Sequence, residues 1–193
     1  TATKIVSHAN ARARMEKMEM FRGANAKFLP NTIVTDRMTL LDGADRIDLY
    51  YFGKGHTDGD LVVVFPEKKL AHFGDLFPAR ALPVIDTASG GSGVEFPETL
   101  ARAVAELKSI TRVTTGHDEA RVAPSTKAAG SATSTNPRPM TWADLEEYVA
   151  FNKEFVAAVR QAIASGKTAE QAAAALKMPD RYAGYDMSRT KED

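Results

Sequence analysis

The chain reads as a mixed α/β fold, a β-sheet flanked by helices and followed by an all-helical extension. Three observations predict this. Short runs rich in β-branched and aromatic residues succeed one another over residues 32–73. A helix-period stretch then separates residues 70–73 from a further strand-like run at 112–115. From residue 141 onward only helical patterns with helix-start signals occur.

The elements follow in order. Residues 4–7 are strand-like, and residues 9–21 read as a helix with Met15 and Met18 on the inward face and Arg12, Arg14, Glu16, Lys17 and Glu19 elsewhere, ended by Gly23. Residues 32–35, 38–41 and 46–52 predict a meander. Its last strand alternates Ile47, Leu49 and Tyr51 with Asp48 and Tyr50, which gives the sheet one polar face. The continuous apolar run of residues 61–65 predicts a strand covered on both sides. Pro66, Glu67, Lys68 and Lys69 then turn the chain into residues 70–73. After a loop of small residues, Pro97 suits the first turn of a helix that packs Leu100, Ala103, Val104 and Leu107 inward. The extension carries two capping boxes, Thr141 with Asp144 and Thr168 with Gln171, with stops at Gly166 and Pro179. These patterns divide the chain into residues 1–125, a Pro-, Ser- and Thr-rich linker at 126–140, and a helical extension at 141–193.

Composition excludes several classes of function. With 25 basic and 25 acidic side chains among 193 residues there is no net field to draw in nucleic acid or an anionic membrane surface, so neither is expected as a partner. Without cysteine there is no disulfide framework, thiolate nucleophile or cysteine-ligated zinc. The longest apolar run is far shorter than a membrane span, which predicts a soluble chain, cytoplasmic or periplasmic and secreted alike. The start at Thr1 without Met fits either a processed terminus or a chain cut inside a larger fold.

Three short segments carry the chemistry. Gly55-His56-Thr57-Asp58-Gly59-Asp60, Phe73-Gly74-Asp75 and Gly116-His117-Asp118 each follow a strand-like run. Each taken alone is also a plausible polar turn, since Gly and Asp favour turns. Together they place two imidazoles and a carboxylate on strand-end loops, the ligand types that zinc and similar metals accept. Asp60 reads as a brace for the His56 loop rather than a ligand, because ligand loops depend on outer hydrogen bonds. His8 reads as structural or exposed and His72 as an ordinary strand residue. Residues 90–93 precede a helix and could cradle an anion, but lack a fuller fingerprint. Trp142, Tyr148 and Phe151 read as packing for the tail helix.

This ordered set resembles the metallo-β-lactamase-fold hydrolases, and the likeness continues through Pro83-Val84-Ile85-Asp86, Gly90-Gly91-Ser92 and the helical tail. The resemblance implies an αββα sandwich of two mixed sheets, of which this chain supplies the C-terminal half. It implies a dinuclear zinc site in which His56 binds the first metal, Asp75 bridges both and His117 binds the second, while a metal-bound hydroxide attacks an ester, thioester, lactone, lactam or phosphoester. An aspartate at position 75, where one lactamase subclass has cysteine, points to the broader hydrolase group of thioesterases and lactonases. The family's His-x-His-x-Asp-His signature, which carries most of the remaining ligands, is absent from the sequence. The parent is therefore expected to be an enzyme acting on a small molecule. This chain alone is expected to be truncated and inactive, with zinc incomplete or absent. The second expectation is a non-catalytic module that forms a homodimer through an exposed sheet face bearing Val62 and Val64, or associates with the missing N-terminal half.

Overall fold

The computed structural model describes residues 3–117 and 140–188. Its main body is a five-stranded sheet in the order β3 (Arg37–Leu40), β4 (Ile47–Tyr50), β5 (Val62–Phe65), β6 (Leu70–His72), β7 (Arg112–Thr114). The first four strands pair antiparallel, while β6 and β7 run parallel. Parallel neighbours need a crossover, and the helix α2 (Phe96–Glu106; the preceding α1 spans Ala9–Met15) supplies it. The mixed sheet flanked by helices is thus the fold class that the sequence implies.

One face of the sheet holds the core. The register row Thr39, Asp48, Val64, Ala71, Val113 faces α2 and the long helix α3 (Trp142–Ala164). Val62, Val64, Ala71 and Val113 are buried there with Leu100 and Ala103 of α2 and with Leu145, Tyr148 and Phe151 of α3. The expectation of an open sheet face bearing Val62 and Val64 is therefore corrected: 0% and 2% of these side chains is exposed, because the two helices cover them. On the other face the row Met38, Leu49, Val63, His72, Thr114 is only partly covered, with Met38, Val63 and His72 half-buried. The strand over 61–65 is consequently fully buried on one side only.

The N-terminal part differs from the sequence reading in two ways. β1 (Val6–His8) pairs parallel with β2 (Thr32–Val34) in a separate two-stranded sheet, so β2 stands outside the meander. Asn31 ties this pair together, accepting from Ile5 N at 3.0 Å and donating to Thr3 O at 3.0 Å. The second difference is that α1 stops at Met15, six residues short of the expected end, and buries none of its residues. Met18 is exposed, and the tertiary contacts come from the side expected to be polar: Arg12 donates to Pro30 O and Arg14 pairs with Asp58. Two bonded arginines outweigh a weak apolar stripe of two methionines. Glu19–Phe21 and Gly23–Phe28 follow as 3-10 turns, so Gly23, at φ +57°, opens a turn where a helix stop was expected.

Asp48 also departs from its pattern. It stands on a position read as solvent-facing, yet it is buried, accepting from Thr39 Oγ1 at 2.6 Å and Arg46 Nε at 3.1 Å. Burial pushes its carboxyl up, but these bonds and the Arg46 charge outweigh that and hold it below the ordinary carboxylate range.

The extension folds back onto the same core. Both capping boxes form, at the starts of α3 and of α4 (Ala169–Ala175). Tyr182 and Tyr185 join Tyr148 and Phe151 in one aromatic cluster, with Phe151 and Tyr185 stacked at 4.2 Å. The linker expected at 126–140 lies outside the described residues except for Met140. Among the described residues no helix is long and apolar enough to cross a membrane.

Candidate metal centre

Asp75 and His117 are brought together by the parallel ladder. β6 and β7 continue past their ends, Phe73 N donating to Thr114 O at 3.1 Å and Gly116 N to Gly74 O at 2.9 Å, so the two following loops leave the sheet side by side. The approach requires glycine at position 116, where a Cβ would sit 2.6 Å from both Asp75 Oδ1 and the Gly74 carbonyl carbon. His117 Nε2 lies 2.8 Å from Asp75 Oδ1, with its own carbonyl accepting from Thr115 Oγ1 at 2.7 Å. Asp118 lies outside the described residues.

His56 reaches the same carboxylate from the β4–β5 connection. Its Nε2 is 3.7 Å from Asp75 Oδ2. Its Nδ1 lies 2.8 Å from the Val84 carbonyl, which can only accept, so Nδ1 carries a proton and Nε2 is the nitrogen that faces Asp75. The His56 loop is braced from three sides. Asp60 accepts from Thr57 N at 2.8 Å and Thr57 Oγ1 at 2.6 Å. Asp86 N donates to His56 O at 2.8 Å. Asp58 pairs with Arg14 at 2.6 Å, accepts from Asn10 Nδ2 on its carbonyl at 2.8 Å, and donates from its backbone N to Ser89 O at 3.1 Å. The bond and charge from Asp58 raise the Arg14 pKa further above its ordinary value. The hydrogen bonds from Ser89 hold Asp86 below the usual carboxylate range.

Burial pushes the Asp60 carboxyl above its ordinary pKa, against the lowering effect of its Thr57 bonds. A group whose pKa is raised on folding binds its proton more tightly in the native state. Its contribution to stability is therefore present in acid and lost as the pH rises from the unfolded carboxylate value through the raised folded one. In Asp60→Asn this component is expected to vanish, flattening the urea midpoint against pH across that acidic window. The measurement is a urea titration of both chelator-treated proteins at several pH values, and parallel profiles would refute the assignment.

The other histidines stay apart from this group. His8 is buried, stacked on Tyr51 at 4.0 Å. Its Nδ1 accepts from Asn10 N at 3.2 Å, and its Nε2 donates to Thr35 O at 3.2 Å. His72 meets Thr114 Oγ1 through Nδ1 at 2.9 Å. Residues 90–93 pack on the His56 loop: a Cβ on Gly90 would run into the Asp58 carboxylate and one on Gly91 into the His56 carbonyl, surroundings that oppose an anion.

His56 and His117 thus converge pairwise on Asp75, one on each oxygen, and not around a common point. Among the described residues no group of three or more His, Cys, Asp or Glu side chains surrounds a single position. The donor types, two imidazole nitrogens and a carboxylate, suit zinc, and the Nδ1 bond to Val84 is the outer contact that metal-bound imidazoles characteristically make. Arg14 and the Val84 carbonyl escaped sequence reading. Arg14 looked like a solvated helix residue, and a backbone carbonyl leaves no mark in the sequence.

No protein-family model matches the chain, and no curated protein does. Comparison with solved structures shows that its fold is that of metallo-β-lactamases. The DIM-1 metallo-β-lactamase matches with a TM-score of 0.54 at 14% identity, over 78% of this chain and 58% of that one. The metallo-β-lactamase IND-7 matches with a TM-score of 0.52 at 17% identity, over 78% and 57%. The structure of VMB-1 at pH 5.5 matches with a TM-score of 0.52 at 14% identity, over 79% and 57%. The matched part is a little under three fifths of each of these structures.

Proposed function

We propose that the chain carries part of the metal centre of a metal-dependent hydrolase, with His56 and Asp75 holding one zinc ion and Asp75 and His117 a second. The observation that supports this most is the division of the Asp75 carboxylate, with Oδ1 facing one imidazole and Oδ2 the other. A carboxylate placed so can join two ions and offset part of their charge. Zinc, when bound, polarises a carbonyl or phosphoryl group and brings the pKa of water near 7. The chain's own residues prepare the site. The Nδ1–H bond to Val84 makes His56 Nε2 a better donor, Asp60 and Asp58 fix its loop, and Gly116 lets His117 approach Asp75. The substrate class is an ester, thioester, lactone, lactam or phosphoester.

Two ligands per ion fall short of the three that catalytic zinc takes from protein. The remaining ligands are then supplied from outside the described residues, in keeping with the reading of this chain as the later half of a larger site. The test is zinc titration of the chelator-treated chain, with competition by a chromophoric chelator and the imidazole resonances of His56 and His117 followed by NMR. Weak binding that perturbs both rings is expected. About two tightly held ions per chain would overturn the incomplete-site reading, and unperturbed rings at saturating zinc would overturn the metal reading itself.

A further inference from the structure

The loop that leads away from Asp75 is clamped to the end of the chain, and the clamp lies two residues from the carbonyl that orients His56. Asp186 N donates to Arg80 O at 2.9 Å and Leu82 N donates to Asp186 O at 3.1 Å, forming a short parallel bridge between residue 186 and residue 81. The Arg80 guanidinium reaches in the same direction and pairs with Asp144, buried in the first turn of α3. Ala79, Ala81 and Leu82 are all buried beneath this bridge. From Leu82 to the Val84 carbonyl the backbone has only about four soft dihedrals, one pair of which belongs to Pro83 with its fixed φ. Held at residues 80–82 on one side and by the bond from Asp86 N to His56 O at 2.8 Å on the other, the Val84 carbonyl has little room to turn.

We propose that the segment Tyr182–Asp186 is a positioning strap for His56, and that Asp186, through its backbone, and Arg80, through its side chain, are positioning residues of the centre. The strap keeps the Val84 carbonyl on His56 Nδ1. A free imidazole has no such partner and divides its proton between both nitrogens; here the proton is confined to Nδ1 and Nε2 is left open towards Asp75. The helical extension thus belongs to the architecture of the site as well as to the core. Its link to zinc affinity rests on the proposed function above, while its effect on the proton of His56 does not.

The two substitutions at position 186 separate backbone from side chain. Asp186→Pro removes the N–H that bonds Arg80 O, and Asp186→Ala keeps it. With 15N-labelled full chain at about pH 8, above the ordinary imidazole range, the wild type and D186A are expected to hold His56 as the Nδ1–H tautomer. D186P should shift it to a mixture with Nε2–H and weaken zinc binding by roughly tenfold. Arg80→Ala is expected to do the same by the side-chain route, and decides the matter if D186P does not fold. A folded D186P or R80A with the wild-type tautomer, or a wild type already in the Nε2–H form, would overturn the strap. Nδ1–H in the wild type together with no zinc binding would sink the metal reading and leave the strap standing.

Discussion

Asp75→Asn is expected to lower zinc affinity by more than about 100-fold, beyond the 10–100-fold that loss of an outer hydrogen-bond partner costs. The reason is the division of labour in one side chain. Oδ1 stands 2.8 Å from His117 Nε2 and Oδ2 3.7 Å from His56 Nε2, so under the proposed function each oxygen would serve a different ion. An amide keeps one acceptor and replaces the other with a donor that cannot ligate a cation. Whichever way it turns, one of the two proposed ions would lose its carboxylate oxygen, and the negative charge offered to both would be gone. The fold should tolerate the change. The Asp75 side chain is 42% exposed, its two partners are imidazoles at a loop surface, and such contacts contribute at most about 1 kcal/mol. Chelator competition and thermal unfolding on the same protein check both halves. An affinity within roughly threefold of the wild type, or a collapse of stability comparable to a core deletion, would show that Asp75 is a structural acid.

How far the sequence carries the fold and the site depends on the range of the interaction that decides each feature. The capping boxes at Thr141 and Thr168, the crossover helix that begins at Phe96 and the strand-end positions of His56, Asp75 and His117 are set within a few residues, and all are legible. The end of α1 is not. It is decided by Arg12 reaching Pro30 and Arg14 reaching Asp58, contacts 18 and 44 residues away in sequence. Asp48 is hidden for another reason, since its partners Thr39 and Arg46 are near in sequence but meet it only once β3 and β4 have paired. Alternation marks it as outward, and only the arrival of Thr39 and Arg46 lets a carboxylate be buried there. The covered face over Val62 and Val64 depends on α3, more than seventy residues downstream. Within the site, the ligand types could be read from three motifs. What orients them, a carbonyl at Val84 and the backbone at Asp186, is invisible to any reading of side chains.

Phe151→Ala is expected to destabilise the whole chain by about 3–5 kcal/mol, the range for removing a fully buried aromatic side chain. Phe151 is 0% exposed and stands at the junction of two parts of the molecule. It stacks on Tyr185 at 4.2 Å, meets Tyr182 edge-on at 5.2 Å and lies 6.2 Å from Tyr148, which in turn packs on Phe77 at 5.0 Å and Phe96 at 6.2 Å. An alanine here opens a cavity between α3 and the segment that bridges to residue 81, and it weakens packing continuous with Val62 and Leu100 on the sheet side. Because the aromatic cluster and the sheet face share one core, the loss should be felt by both. The single tryptophan offers a direct probe, since Trp142 begins α3 and meets Phe73 of the Asp75 loop edge-on at 6.2 Å. In urea, the Trp142 fluorescence and far-UV circular dichroism midpoints of F151A should fall together, by the same amount and with an unchanged slope. If the two midpoints separated, the extension and the sheet would unfold as separate units, and the hold on the His56 loop would have to be local to the Arg80 and Asp186 contacts.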